Sequence, residues 1–263
     1  MEPIRACANY TPKFGKGRGD GLSLPEFLTL YRSDPFYAWF GLDNPLMYAA
    51  HKAAGGMTSV YRQIGIGCEK LFRQVLCDHL GLSVEAVNWS YTVPTSGGKT
   101  RTLHLDGRVS LADIRNTSTR KRFHGWMEQA AAAAGVAKPV FASLAGVVFE
   151  IRQGYKSKDS KRQNADIANA SIAYANAYLP CAVILSAQID DDVLLRYRRD
   201  RWSVLIGIVG SNDSLESTYE FMAEIIGYDL AGFFQRNRVA LRAEIDIVLR
   251  ALLAPETPWR EVE

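Results

Sequence analysis

Two acidic residues stand in segments whose patterns predict neighbouring β-strands. Glu150 follows the apolar residues 147–149, and the chain then enters a strongly basic segment, residues 156–162. Asp106 follows the alternating residues 101–105 of another predicted strand. Phosphodiester hydrolysis needs an activated water, charge stabilisation on the phosphate and a neutralised leaving oxygen, and a divalent metal held by carboxylates can supply all three. The pattern therefore predicts metal-assisted phosphodiester cleavage.

Cations follow Glu150 on the same predicted strand. In an extended chain Glu150, Arg152, Gly154 and Lys156 point to one side, so the carboxylate and the cations converge. We expect Arg152 to contact the phosphate and Lys156 to assist the attacking water, with Lys158 as another candidate for the catalytic cation. A structural ion pair between Glu150 and Arg152 is the alternative interpretation.

The remaining metal ligands are less specific. Glu69 lies one position from the apolar stripe of a predicted helix, residues 59–80, where it can complete the metal shell or serve as an ordinary helix-edge carboxylate. Asp106 precedes Gly107, and Asp-Gly is also a strong turn signal. Asp113 is then the alternative ligand.

Two segments carry side chains suited to phosphates and base edges. The predicted DNA-binding residues are Arg115, Arg120, Lys121 and Arg122 in one segment, and Lys158, Lys161, Arg162, Gln163 and Asn164 in the other. Charge runs are also common on plain solvated faces, so these clusters do not establish a function by themselves.

Length and composition limit the classes of protein to which the chain can belong. The chain has 263 residues, 48% of them hydrophobic, and a formal net charge of +3. This length can bury a sizeable core, and no apolar run approaches the roughly 20 residues of a membrane span. Residues 1–10 lack the apolar centre of a secretion signal, so we expect a cytoplasmic protein. The four cysteines show no C-x-x-C spacing and are expected to be reduced thiols.

The elements that must position these residues follow from periodicity and turn signals. We predict an α/β (α+β) fold, with a central mixed β-sheet flanked by helices. The predicted helices are residues 59–80, 111–134, 160–178, 191–199 and 215–253, and the predicted strands are 87–93, 101–109, 140–155, 180–187 and 202–209. Residues 1–45 are expected to be irregular. The predicted division is an irregular basic and aromatic arm (1–58), a nuclease core (59–210) and a C-terminal helical element (211–263), which together are expected to form one compact domain.

The sequence argues against two other kinds of site, a phosphate-binding loop and a serine hydrolase. Residues 96–100, Ser-Gly-Gly-Lys-Thr, look like the end of a phosphate-binding loop, but Val93 occupies the position of the first glycine and a strand follows. No G-x-S-x-G sequence accompanies the histidines, which argues against a serine hydrolase.

Over residues 59–209 the chain resembles the PD-(D/E)xK nuclease superfamily, and within it the type II restriction endonucleases. The resemblance implies a restriction-endonuclease-like core and a Mg²⁺-dependent enzyme that cuts double-stranded DNA as a homodimer. Asp106 matches the aspartate of the motif, Glu150 its second acid and Glu69 an auxiliary helical carboxylate. Arg152 stands where the motif has lysine, and an inserted helical region, residues 115–134, lengthens the spacing between the two acids.

Two alternatives remain open. The missing lysine is compatible with a non-catalytic DNA-binding protein on the same scaffold. A nuclease that acts on RNA or on structured DNA would use the same residues.

Overall fold

The computed structural model of the chain describes residues 2–14, 21–94, 100–154 and 169–254. It divides into two compact units. The first comprises residues 1–64 and 235–263, and the second comprises residues 65–234. Along the sequence, the boundaries fall inside two long helices, Pro45–Leu80 and Leu230–Leu253.

The described part of the first unit is helical. Its elements are α1 (Glu2–Arg5), a 3₁₀ turn (Ala6–Asn9), α2 (Leu24–Arg32), α3 (Pro35–Trp39), the beginning of α4 (Pro45–Leu80) and most of α11 (Leu230–Leu253). One core cluster joins Cys7 and Val60 to Val248 and Leu252. A second cluster is aromatic and centres on Phe27.

The prediction that residues 1–45 are irregular is wrong. Helix α2 begins with a capping box, in which the Ser23 N–H donates to the Glu26 carboxylate over 2.8 Å. Helix α3 begins at Pro35, and the Asp34 carboxylate accepts from the Phe36 N–H over 2.9 Å. These side chains satisfy N–H groups that the first turn of a helix leaves without partners, so short helices form in a stretch that sequence composition alone marked as loop.

The second unit contains a mixed sheet of four strands and a separate antiparallel hairpin. The strands are β1 (Trp89–Pro94), β2 (Thr100–Leu105), β3 (Gly107–Ser110), β4 (Gly146–Arg152), β5 (Tyr178–Ile184) and β6 (Ser203–Leu205). Strands β1 and β2 form the hairpin, and the larger sheet has the order β3-β4-β5-β6. Strand β3 is antiparallel to β4, whereas β5 and β6 run parallel to it.

Helices cover this sheet. They are the end of α4, α5 (Val84–Val87), α6 (Thr117–Ala133), α7 (Lys138–Phe141), α8 (of which residues 169–175 are described), α9 (Asp191–Arg199), α10 (Thr218–Glu220), a π-helix (Phe221–Ile226) and the start of α11. A mixed sheet flanked by helices is therefore confirmed. None of the helices in the described ranges combines the length and the apolar character needed to cross a membrane.

Strands β4 and β5 are apolar on both faces, as expected for strands covered on both sides. On one face Phe149 packs with Phe72 of α4 and Phe123 of α6. On the other face Val148 packs with Trp202 and Tyr197. The sheet is thus held between two hydrophobic clusters, and the polar residues Glu150 and Arg152 interrupt an otherwise apolar strand.

Several predicted boundaries are wrong for identifiable reasons. Residues 138–141 form α7 instead of the start of a strand, because Pro139 suits the first turn of a helix. Strand β6 ends at Leu205, since the chain then leaves the ladder and Ile206 makes a single bridge to Ser217. The predicted C-terminal helix is broken at Gly227, which has φ +90°. Residues 95–99, between the first two predicted strands, and most of the predicted helix 160–178 lie outside the described residues.

Candidate active site

Asp106 lies where the chain passes from β2 to β3. Its N–H donates to the Phe149 carbonyl over 2.9 Å, and its side-chain Oδ2 accepts from the Ile151 N–H over 2.8 Å. The carboxylate therefore stands where a continuing strand would offer a main-chain carbonyl. Asp106 is not part of a hairpin turn, because β3 begins at the next residue.

Glu150 lies one residue beyond the last ladder pair of β3 and β4, which is Gly107 with Phe149. The regular ladder ends there, because the Asp106 N–H also bonds to the Phe149 carbonyl. The bond from the Ile151 N–H brings the Asp106 carboxylate to the main chain of β4 at the residue after Glu150. The convergence of the two carboxylates on a metal stays a prediction.

Arg152 forms an ion pair with Glu150. The side chains are 13% and 7% exposed, so the pair is largely shielded from solvent. The structural ion pair, which was the alternative interpretation of these two residues, is thus present. A guanidinium that neutralises a buried carboxylate also leaves that carboxylate less free to act as a metal ligand.

Helix α4 covers the Asp106 end of the strands. Arg73 donates from Nη1 to the Asp106 carbonyl over 2.8 Å, and the Phe72 ring lies 5.2 Å from the Phe149 ring, centroid to centroid. Glu69 precedes Arg73 by one helical turn and is half-buried, so it shares that side of the helix. Sequence reasoning missed Arg73, although its i+4 spacing from Glu69 was the available signal.

The alternative ligand Asp113 lies elsewhere. The register pairs Ser110 with Gly146, so Asp113 follows the far end of β3, roughly 13 Å along the strands from Glu150. It pairs instead with Arg108, with 4.0 Å between Asp113 Oδ2 and Arg108 Nη2. The geometry therefore favours Asp106 over Asp113 as the partner of Glu150.

A complete metal shell is not assembled in the described ranges. There, no three His, Cys, Asp or Glu side chains are grouped closely enough to hold a metal ion. The Asp106 carboxylate accepts from the Ile151 N–H, and the Glu150 carboxylate pairs with Arg152. The placing of Glu69 as the third ligand stays a prediction.

The basic residues of the first predicted DNA-binding segment are exposed. Arg115 precedes α6, and Arg120, Lys121 and Arg122 lie in its first two turns. Arg120 donates to the Ile114 carbonyl from both Nε and Nη2, over 2.8 and 2.6 Å. Part of this basic cluster therefore holds the chain at the start of α6.

The second predicted segment cannot be placed. The residues concerned are Lys156, Lys158, Lys161, Arg162, Gln163 and Asn164, all of which lie outside the described residues. Their proposed roles as catalytic cation and DNA contacts stay predictions.

The four cysteines are free thiols, as expected. Burial raises the pKa of Cys181 to about 12, and burial, with a smaller contribution from the Glu69 charge, raises the pKa of Cys68 to about 11. Thiols with such high pKa values are poor nucleophiles near neutral pH. Cysteine chemistry at Cys68 and Cys181 is therefore disfavoured.

Comparisons with known proteins give no family assignment. No family model matches the chain, and neither the curated proteins nor the solved structures gave a significant match. The function must be argued from the residues of the site.

Proposed function

We propose that this protein is a metal-dependent nuclease that cuts double-stranded DNA at specific sites. The observation that carries the proposal is the position of the Asp106 carboxylate, which accepts from the Ile151 N–H at the residue after Glu150 on β4. Under the proposal the two carboxylates converge there on Mg²⁺, which prefers oxygen ligands in a defined geometry. Bound magnesium supplies charge stabilisation and a more acidic water.

The order of elements supports a restriction-endonuclease-like core. A helix with a half-buried glutamate (α4) precedes a hairpin (β1 and β2), the aspartate, the strand with Glu150 (β4), a helix (α8) and a buried strand (β5). This is the order on which the resemblance to type II restriction endonucleases depends. Under the proposal the enzyme acts as a homodimer on a two-fold symmetric site.

Each residue then has a defined task. Asp106 and Glu150 hold the metal, and Glu69 completes the shell from α4. Arg152 exchanges its ion pair with Glu150 for a contact with the scissile phosphate, which a guanidinium can stabilise without giving up its proton. Lys156 orients the attacking water.

A matched pair of substitutions tests this proposal. Asp106→Asn keeps an oxygen that can accept from the Ile151 N–H, so the fold is preserved while one carboxylate charge is lost. We expect it to lower the rate of plasmid cleavage in Mg²⁺ by roughly 10²-fold or more. Asp113→Asn is the control, and it should cut like the parent. Equal rates for parent and Asp106→Asn would refute the metal role of Asp106.

A specific observation favours a second function, non-catalytic DNA binding. Arg152 occupies the position of the motif lysine and neutralises Glu150. This alternative expects salt-dependent binding to duplex DNA with no cleavage in Mg²⁺ or Mn²⁺. Discrete fragments from a plasmid indicate site-specific cutting, a smear indicates an unspecific nuclease, and cleavage of RNA or of structured DNA alone indicates the third candidate.

A further inference from the structure

A groove on the second unit lies outside the carboxylate site. It has a volume of about 500 Å³ and runs along one face of α6. On the α6 side it is lined by Ser118, Lys121, Arg122, Gly125, Trp126 and Gln129, and Ser214 and Ile225 lie on the opposite side. Of these described lining residues two are cationic, none is acidic, and four carry neutral hydrogen-bonding side chains.

The walls of the groove are fixed by contacts with the protein itself. Trp126 is buried, and its Nε1 donates to the Ser214 carbonyl over 2.8 Å. Arg122 donates from Nε to the Ile225 carbonyl over 3.0 Å, which holds its guanidinium at the edge of the groove. The hydrogen bond of this guanidinium to Ile225 uses Nε, and Lys121 is exposed. Both side chains therefore place positive charge at the groove.

Gly125 in the groove has no packing explanation. It lies in the middle of the 17-residue helix α6, where glycine is less favourable than every residue except proline. A Cβ built on Gly125 meets no heavy atom within 4 Å, so the protein's own packing does not exclude a side chain there. Glycine at such a position is explained if another molecule approaches the helix backbone closely.

Behind Trp126 the wall of the groove continues into the hydrophobic core. The Trp126 ring lies 4.4 Å from the Phe221 ring, and Phe221 lies 6.0 Å from Phe149, centroid to centroid. All three rings are buried, so the core of the second unit supports this wall.

We propose that the α6 groove binds the sugar-phosphate backbone of duplex DNA, with Lys121 and Arg122 paired to phosphates and Gly125 admitting the strand against the helix. The choice of ligand depends on the proposed function, because cations and neutral donors without a carboxylate fit phosphate chemistry in general.

Binding of a fluorescein-labelled duplex oligonucleotide to the full-length chain in EDTA tests the groove without cleavage. We expect Gly125→Glu to weaken binding by about tenfold or more, since it adds a charge and fills the groove, and Gly125→Gln to weaken it less. Gly67→Glu is the matched control: Gly67 is also a helical glycine whose Cβ would meet nothing within 4 Å. It should bind within about twofold of the parent, since it only changes the net charge.

A salt titration adds an independent readout. Lys121→Ala should reduce the slope of log K against log salt concentration by about one, because one phosphate contact is lost. Equal weakening by Gly125→Glu and Gly67→Glu would overturn the proposal, as would full displacement of the duplex by millimolar inorganic phosphate. Unchanged thermal melting of Gly125→Glu verifies its fold.

The two proposals fail separately. If Asp106 is required for cleavage but Gly125→Glu binds duplex normally, the groove proposal is wrong and the nuclease proposal stands. If the parent never cuts but loses binding on Gly125→Glu, the groove proposal stands and the nuclease proposal is wrong.

Discussion

At the scale of single residues, the Asp106 side chain takes the place of a main-chain carbonyl in the sheet. Its Oδ2 accepts the Ile151 N–H that would otherwise lose its ladder partner where β2 ends and β3 begins. A charge-assisted hydrogen bond is stronger than a neutral one, so this contact holds the carboxylate in one position. Asp106 is therefore fixed by the fold.

Two substitutions test whether the positive charge of Arg152 stabilises the fold. Replacement by methionine should destabilise the protein by about 3–5 kcal/mol, because it leaves the buried Glu150 carboxylate without its cation. Replacement by lysine keeps a cation and should cost less. Urea unfolding of the three proteins checks this, and a methionine variant as stable as the parent would show that the ion pair does not hold the site.

The buried thiols predict a loss of stability at alkaline pH. The pKa of Cys181 is raised to about 12 and that of Cys68 to about 11, from an ordinary value of 9.0. The folded state therefore keeps protons that the unfolded state releases, so this stability is complete below pH 9 and is lost as pH rises towards 11 and 12. At pH 10 we expect a loss of about 1 kcal/mol for each thiol, measured by urea unfolding. The Cys68→Ala/Cys181→Ala variant should show a smaller difference between pH 8 and pH 10.

At the scale of elements, strongly periodic segments were predictable and interrupted ones were not. A short charged helix was predicted near residues 191–199, and α9 is observed over Asp191–Arg199, with acidic residues in its first turn and arginines in its last. Helix α4 ends at Leu80 as predicted, with Gly81 at φ +66° after it. Its beginning at Pro45 was missed, since the residues before position 59 lack a clear apolar stripe.

The candidate site was predictable in part. The antiparallel neighbourhood of the segments that carry Asp106 and Glu150 follows from two strand patterns. The contact between Arg73 and the Asp106 carbonyl depends on how α4 crosses the strands, which no local pattern encodes. The α6 groove depends on Ser214 and Ile225, which are distant in sequence from α6.

A substitution of Gly146, at the start of β4, tests the close pairing of β3 and β4. A Cβ at this position would lie 2.1 Å from the Val109 carbonyl oxygen, so Gly146→Ala forces β3 and β4 apart. We expect a destabilisation of about 1–3 kcal/mol by chemical unfolding. Gly67→Ala, in open space on α4, is the control and should stabilise by about 0.5–1 kcal/mol. A Gly146→Ala variant as stable as the parent would contradict the observed strand pairing.

At the scale of the whole molecule, the first unit is built from both ends of the sequence. Val248 and Leu252 of α11 are buried with Cys7 and Val60, which lie about two hundred residues earlier. Leu252 also packs against α4, where a Cβ on Gly56 would lie 2.4 Å from its Cδ2. The unit therefore needs its C-terminal helix.

Adjacent leucines of α11 provide the test. Leu252 is 1% exposed and Leu253 is 67% exposed. We expect Leu252→Ala to cost about 2–5 kcal/mol and Leu253→Ala to cost less than about 0.5 kcal/mol. Thermal and urea unfolding measure both, and similar effects of the two substitutions would contradict the packing of α11 in this unit.

The hydrogen bond between Asp106 and Ile151 has a consequence for maturation of the protein. A strand that slipped by one residue would offer a different side chain to the Ile151 N–H, and the Asp106 carboxylate would lose this partner. A newly made or refolding chain therefore fixes this carboxylate only when this stretch of the sheet reaches its final alignment. Under the proposed function, cleavage activity therefore appears last in folding.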